Sequence, residues 1–150
     1  MAERTKIDTQ TWSLSIVLRT HALKTIEFSG RVFSGQSEGR KFIELTWVKR
    51  QIREKLGFIP YPGTLNVRLS EESTQRRKFL DDTEGMRICP SEGYCSGLLF
   101  KARVGILECG IVVPQVEGYP LDVLEVIASV NLKEKLGLRD GDEITITVHV

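Results

Sequence analysis

The amino-acid sequence predicts a mainly β fold, a small mixed barrel with two short helices and two similar halves. Three observations predict it. Short apolar segments that alternate with polar residues recur between turn signals, whereas a 3.6-residue apolar period is confined to two short places. The run Arg53-Glu54-Lys55-Leu56-Gly57-Phe58 returns as Lys133-Glu134-Lys135-Leu136-Gly137-Leu138. Each copy continues through a turn with Gly63 or Gly141 into a strand, Leu65-Asn66-Val67 or Ile144-Thr145-Ile146. A helix–turn–strand unit used twice points to two halves closing on one core, with a cleft between them where a ligand can sit. Finally, 150 residues at 41% hydrophobic and 27% charged content are enough for one domain that buries its core without staples.

Composition also excludes function classes. A net charge of +1 gives no electrostatic footprint for nucleic acid or an anionic membrane. No apolar run approaches the roughly 20 residues that span a bilayer, and the polar N-terminus is not a signal peptide. Cys89, Cys95 and Cys109 are odd in number, lack the close pairing of a zinc site, and lie far from His21 and His149. They read as reduced thiols of a cytoplasmic protein. A thiol nucleophile or a Cys/His metal site is the alternative.

Residues 1–25 read as an N-terminal extension, in which Trp12, Leu14, Ile16 and Leu18 alternate as in a strand that adds to a sheet edge, with a short helix as the alternative. The barrel is expected over 26–150. Ile26, Phe28 and Val32 form its first strand, with Gly30 a bulge or point of close approach. Then comes Ser34-Gly35-Gln36-Ser37-Glu38-Gly39-Arg40-Lys41. Its glycines permit the positive φ values that line up backbone N–H groups into an anion-binding nest, with Arg40 and Lys41 adding charge. The same residues also suit a hairpin turn with solvated charges. A phosphate loop of the GxxxxGK[ST] type is absent.

Thr46 reads as the N-cap of a helix with Val48, Ile52 and Leu56 on one face and Gly57 as its stop. Pro60 and Pro62 hold Ile59 and Tyr61 extended. From Gly63 onward Leu65, Val67 and Leu69 face one way, and Thr64, Asn66 and Arg68 the other. A hydroxyl and an amide oxygen therefore converge on one ligand or cation, next to a guanidinium. Residues 70–82 read as a solvated loop or short helix. Met86–Cys89 reads as a short strand. Leu98–Val104 and Ile106–Pro114 read as a strand pair around Gly105, with Gly110 a second kink or turn. Ile111-Val112-Val113 is apolar enough for burial on both faces.

Glu125 sits in the apolar run Val123-Leu124-Glu125-Val126-Ile127-Ala128. Two readings stand. Desolvated, it is a proton acceptor tuned toward neutral pH; at an exposed strand edge, it is the ion-pair partner of an arginine. Asn131 and Glu134 form a capping-box start for a short helix ending at Gly137. Asp140-Gly141-Asp142 is a tight turn, and Ile144, Ile146, Val148 and Val150 alternate along the last strand.

Gly35-Gln36-Ser37-Glu38-Gly39-Arg40, Leu56-Gly57-Phe58, Pro60-Tyr61-Pro62-Gly63-Thr64-Leu65-Asn66 and Ile111-Val112-Val113-Pro114 together resemble the archaeal CTP-dependent riboflavin kinases. Leu124-Glu125-Val126-Ile127-Ala128, Asn131-Leu132 and Asp140-Gly141-Asp142 extend the resemblance from Ile26 to the C-terminus. It implies a six-stranded cradle-loop barrel of the riboflavin-kinase/translation-factor type. It also implies transfer of the γ-phosphoryl of CTP to the ribityl 5′-hydroxyl of riboflavin, giving FMN and CDP. Thr64 and Asn66 then match Mg²⁺ ligands. Gly35, Gln36, Ser37, Glu38, Gly39 and Arg40, with Val130, Asn131, Leu132 and Lys133, match the nucleotide site. Glu125 matches a flavin-contacting glutamate, taken here as the group that orients or deprotonates the acceptor hydroxyl, and Glu117 stands where the family has a flavin-contacting threonine.

Two positions depart from the family pattern. Ser37 replaces a glycine, which costs on the order of 1 kcal/mol if φ there is positive. Glu117 replaces the threonine, where a carboxylate either repels an incoming phosphate or adds a metal ligand. The alternatives are a non-catalytic flavin- or nucleotide-binding barrel, or a kinase of this fold with another acceptor or donor.

Overall fold

The computed structural model describes residues 24–35, 38–83, 85–89, 97–115 and 117–150. The alternation of 1–18 and the position of Ser37 lie outside them. Strand β1 (Thr25–Phe33) is followed by helices α1 (Glu38–Ile43) and α2 (Thr46–Leu56), β2 (Leu65–Leu69), α3 (Glu71–Asp82), and β3 (Met86–Ile88). Then come β4 (Gly97–Val104), β5 (Leu107–Pro114), β6 (Val123–Ile127), α4 (Leu132–Leu136) and β7 (Glu143–His149). The sheet runs β3-β4-β5-β6-β2-β1-β7, every pairing antiparallel, and β4 also pairs with β7. That last pairing, Ala102 on Val148, closes six strands into a barrel and leaves β3 as a flap on the other half of the same edge, Met86 on Leu99.

Alternation decides which side chains enter the barrel. Phe28, Val67, Phe100, Ile111, Val126 and Ile146 belong to one buried cluster inside it. Leu99, Val112 and Ile127 belong to a second cluster outside it, with Val48 and Ile52 of α2. β5 is thus buried on both faces because a helix lies over it, as its unbroken apolar run requires.

The repeat read from the sequence is a structural repeat. α2 and α4 each end on a left-handed glycine, Gly57 at φ 86° and Gly137 at φ 64°. The strands that follow, β2 and β7, flank β1 on its two sides. A positive φ is nearly free for glycine and costs other residues about 1–2 kcal/mol, so the two stops share one physical cause.

Several local expectations are corrected. α1 is a helix beyond the two read from periodicity, and of the two readings of 70–82 the helix holds, as α3. Leu45 rather than Thr46 is the N-cap residue of α2, with no side-chain cap. Gly110 is no turn but lies inside β5, where a Cβ would come within 2.4 Å of Leu56 Cδ1. Cys89 is disulfide-bonded, against the expectation of three reduced thiols. Cys109 is free and buried.

Candidate active site

A cleft of about 310 Å³ opens where the two repeat units meet at the end of β1. Its walls come from three stretches far apart in sequence: Phe33–Gly35 with Arg40, Tyr61–Asn66, and Val130–Lys133 after β6. The Pro-Tyr-Pro turn is fixed in place by Tyr61, whose backbone N–H donates to the Ala128 carbonyl at 2.7 Å. Asn131 links the two units: its Oδ1 accepts from the Glu134 N–H at 3.2 Å and its Nδ2 donates to the Tyr61 hydroxyl at 3.3 Å. The N-cap half of the expected capping box therefore both starts α4 and braces the cleft wall.

Thr64 and Asn66 point to the same side of the chain, as alternation predicts, and both line the cleft. Gly35 is needed here for room rather than for backbone freedom. Its φ is not positive, but a Cβ at this position would sit 3.0 Å from Asn66 Nδ2 and 3.1 Å from a Phe33 ring carbon. With Gly39 inside α1, neither glycine forms the expected nest. Gln36 and Ser37 lie outside the described residues, and Glu38 and Gly39 form the start of α1.

Two cations face the cleft, each steadied by a carboxylate. Arg40 Nε donates to Glu44 at 3.2 Å. Lys133 Nζ donates to Asp140 Oδ1 at 2.8 Å and to the Ser34 hydroxyl at 3.3 Å, while Ser34 itself donates to Asp140 Oδ2 at 2.8 Å. The hydrogen bond from Lys133, then that from Ser34, lowers the Asp140 pKa below its ordinary 3.8.

Behind the cleft wall lies Glu125, only 3% exposed. β6 is an interior strand, so the exposed-edge reading with an arginine partner is overturned: Glu125 stands between Asn66 of β2 and Val112 of β5. Its two oxygens accept from hydroxyls, Oε1 from Thr64 at 2.8 Å and Oε2 from Tyr119. Glu117 sits exposed in a turn and does not line the cleft. Arg68 shares the less buried face of β2 with Asn66, as alternation predicts, but does not line the cleft: it stacks 4.4 Å from the Phe33 ring centroid and pairs with Asp122 at 3.1 Å. Cys109 is no nucleophile. Burial, and then the charge of Glu108, push its thiol up from 9.0 to about 12, so thiolate is negligible near neutral pH.

Sequence reading missed Tyr119 and Phe33 and gave Ser34, the first residue of the glycine-bearing stretch, no role. Phe33 adjoins that stretch; Tyr119, in a polar loop, carries no periodic or motif signal. Asp140 was seen only as a turn residue.

Comparison with known proteins decides the family. Residues 32–148 match the family model CTP-dep_RFKase, described as "Domain of unknown function DUF120". The chain belongs to the CTP-dependent riboflavin kinase domain family. It is 44% identical over 131 residues to a protein of Archaeoglobus fulgidus named riboflavin kinase, covering 83% of this chain and 55% of that one. Identity to the riboflavin kinase of Pyrobaculum islandicum is 40% over 144 residues, covering 91% and 67%. Identity to that of Ignicoccus hospitalis is 38% over 130 residues, covering 84% and 73%. The chain thus spans little more than half of the Archaeoglobus relative and about two thirds of the Pyrobaculum one. The family match covers all three cleft-forming stretches.

Proposed function

We propose that this chain transfers the γ-phosphoryl of CTP to the ribityl 5′-hydroxyl of riboflavin, giving FMN and CDP, with residues 26–150 as the kinase barrel and 1–25 as an extension to it. The observation that carries this reading is convergence. The glycine-bearing stretch, the Thr-x-Asn strand and the segment after β6, which family resemblance assigns to one reaction, meet around one cleft. A cytoplasmic location belongs to the proposal through the reaction's soluble substrates; the disulfide at Cys89 removes the argument from reduced thiols.

Phosphoryl transfer asks the protein for positioning and charge neutralisation more than for covalent chemistry. Arg40 and Lys133 supply fixed positive charge toward the nucleotide phosphates, with Gly35 and Val130 to Leu132 among the remaining walls; the resemblance adds Gln36, Ser37, Glu38 and Gly39 to the nucleotide site. Thr64 and Asn66 would hold Mg²⁺. The donors fit that ion: both are hard oxygen ligands, and among the described residues no cluster of three or more His, Cys, Asp or Glu competes for it. When bound, Mg²⁺ neutralises the charge that develops on the transferring phosphoryl group. Glu125 is the candidate group to orient or deprotonate the acceptor hydroxyl, and Glu117 flanks the flavin side.

The deciding experiment incubates the protein with riboflavin, Mg²⁺ and CTP, ATP, GTP or UTP in parallel and follows FMN. FMN formation with CTP is expected. Its absence with every nucleotide, despite ligand binding, would replace the kinase by a binding barrel, and FMN only with another nucleotide would reassign the donor. Under this reading Asn66→Ala abolishes Mg²⁺-dependent turnover and Glu125→Gln slows it by far more than a few-fold.

A further inference from the structure

Thr64 Oγ1 lies 2.8 Å from Glu125 Oε1, and a carboxylate only accepts, so the single Thr64 proton is committed to Glu125. The Thr64 lone pairs are thereby left to the cleft that the residue lines. What keeps Glu125 aimed at Thr64 is its second oxygen, which accepts from the Tyr119 hydroxyl. The carboxylate itself is 3% exposed and does not line the cleft. Asn66 is the register partner of Glu125 on the neighbouring strand, so the two side chains lie side by side on one face of the sheet.

We infer that the chain Tyr119–Glu125–Thr64 sets divalent-cation affinity in the cleft. It does so by orienting the Thr64 hydroxyl and placing one negative charge directly behind it. Tyr119 is then a positioning residue for the cation although it touches neither cation nor nucleotide. This rests on the kinase reading and deepens it. A buried carboxylate that orients a metal ligand is worth about 10–100-fold in metal affinity, and its effect depends on the support that keeps it aimed. Tyr119 is the support here. A phenylalanine in its place frees Glu125 Oε2, lets the carboxylate rotate, and releases the Thr64 proton to compete with the cation.

The test is Mn²⁺ binding, read by loss of the free-ion EPR signal, in the presence of saturating CDP. For Tyr119→Phe a rise of about tenfold in the Mn²⁺ Kd is expected, with metal-free CDP affinity within about twofold of wild type. In a Thr64→Ala background the same substitution is expected to change the Mn²⁺ Kd by less than about twofold, because the group it orients is gone. Unchanged Mn²⁺ affinity in Tyr119→Phe overturns the inference, as does an equal loss in the Thr64→Ala background. Should Tyr119→Phe fail to fold, Glu125→Gln carries the test, with a loss of at least tenfold expected for the same reason. A wild type that binds CDP but no Mn²⁺ overturns this inference alone. One that binds neither overturns the kinase reading with it.

Discussion

Asn66 shows what a single residue owes to its neighbours. Its position on the cleft face follows from strand alternation and was legible in the sequence, but its freedom to occupy that space depends on Gly35, which reaches it across the β1–β2 boundary. A Cβ on Gly35 would press on the Asn66 amide at 3.0–3.1 Å, tighter than an ordinary contact. Gly35→Ala is therefore expected to cut turnover at least tenfold while shifting the melting temperature little, and an activity within twofold of wild type would refute the steric role. Asp140 belongs to the same scale. Hydrogen bonds from Lys133 and Ser34 depress its folded-state pKa, so its contribution to stability is present above the ordinary 3.8 and is lost as pH falls through the lowered value. The urea midpoints of wild type and Asp140→Asn are thus expected to differ slightly at pH 6 and to converge toward pH 3. A gap that widens on acidification would contradict the assignment. Because Asp140 is exposed, the larger effect of Asp140→Asn is expected on nucleotide affinity, through Lys133.

Helices were legible only where their buried face is apolar. α2 shows Val48 and Ile52 at a spacing of four and was read directly. α3 hides: the residues it buries are Ser73, Arg77 and Leu80, at a helical spacing but with two polar members. Ser73 accepts the Ser29 N–H at 2.7 Å, and Arg77 reaches Asp81 at 3.5 Å while its buried Nε is left without a hydrogen-bond partner, so the hydrophilic face is only partly satisfied. α1 is six residues with Ile43 buried, too short to display a period. The glycine stops were legible because their cause is local. Gly57 has open space where a Cβ would be, so the cost of Gly57→Ala is a backbone cost alone. A loss of about 1–2 kcal/mol on denaturation is expected; an unchanged stability would mean that the φ of 86° is relaxed at no cost.

The molecule as a whole stands on two apolar layers separated by one sheet. Ile111 is fully buried in the inner one. Ile111→Ala is expected to cost about 2–5 kcal/mol, measured by denaturant titration, because the surrounding strands are tied into a closed ring and collapse poorly onto a cavity. The sequence by itself determined the strands and their faces, the two glycine-stopped helix units, and the Thr64–Asn66 pair, since each arises from interactions among residues close in the chain. Only the tertiary structure decided that β4 pairs with β7 to close the barrel, that Gly110 makes room for Leu56, and that Tyr119 and Thr64 both reach Glu125. Those depend on contacts between residues that the chain separates and the barrel brings together, and no local pattern encodes which distant strand edge or hydroxyl will arrive.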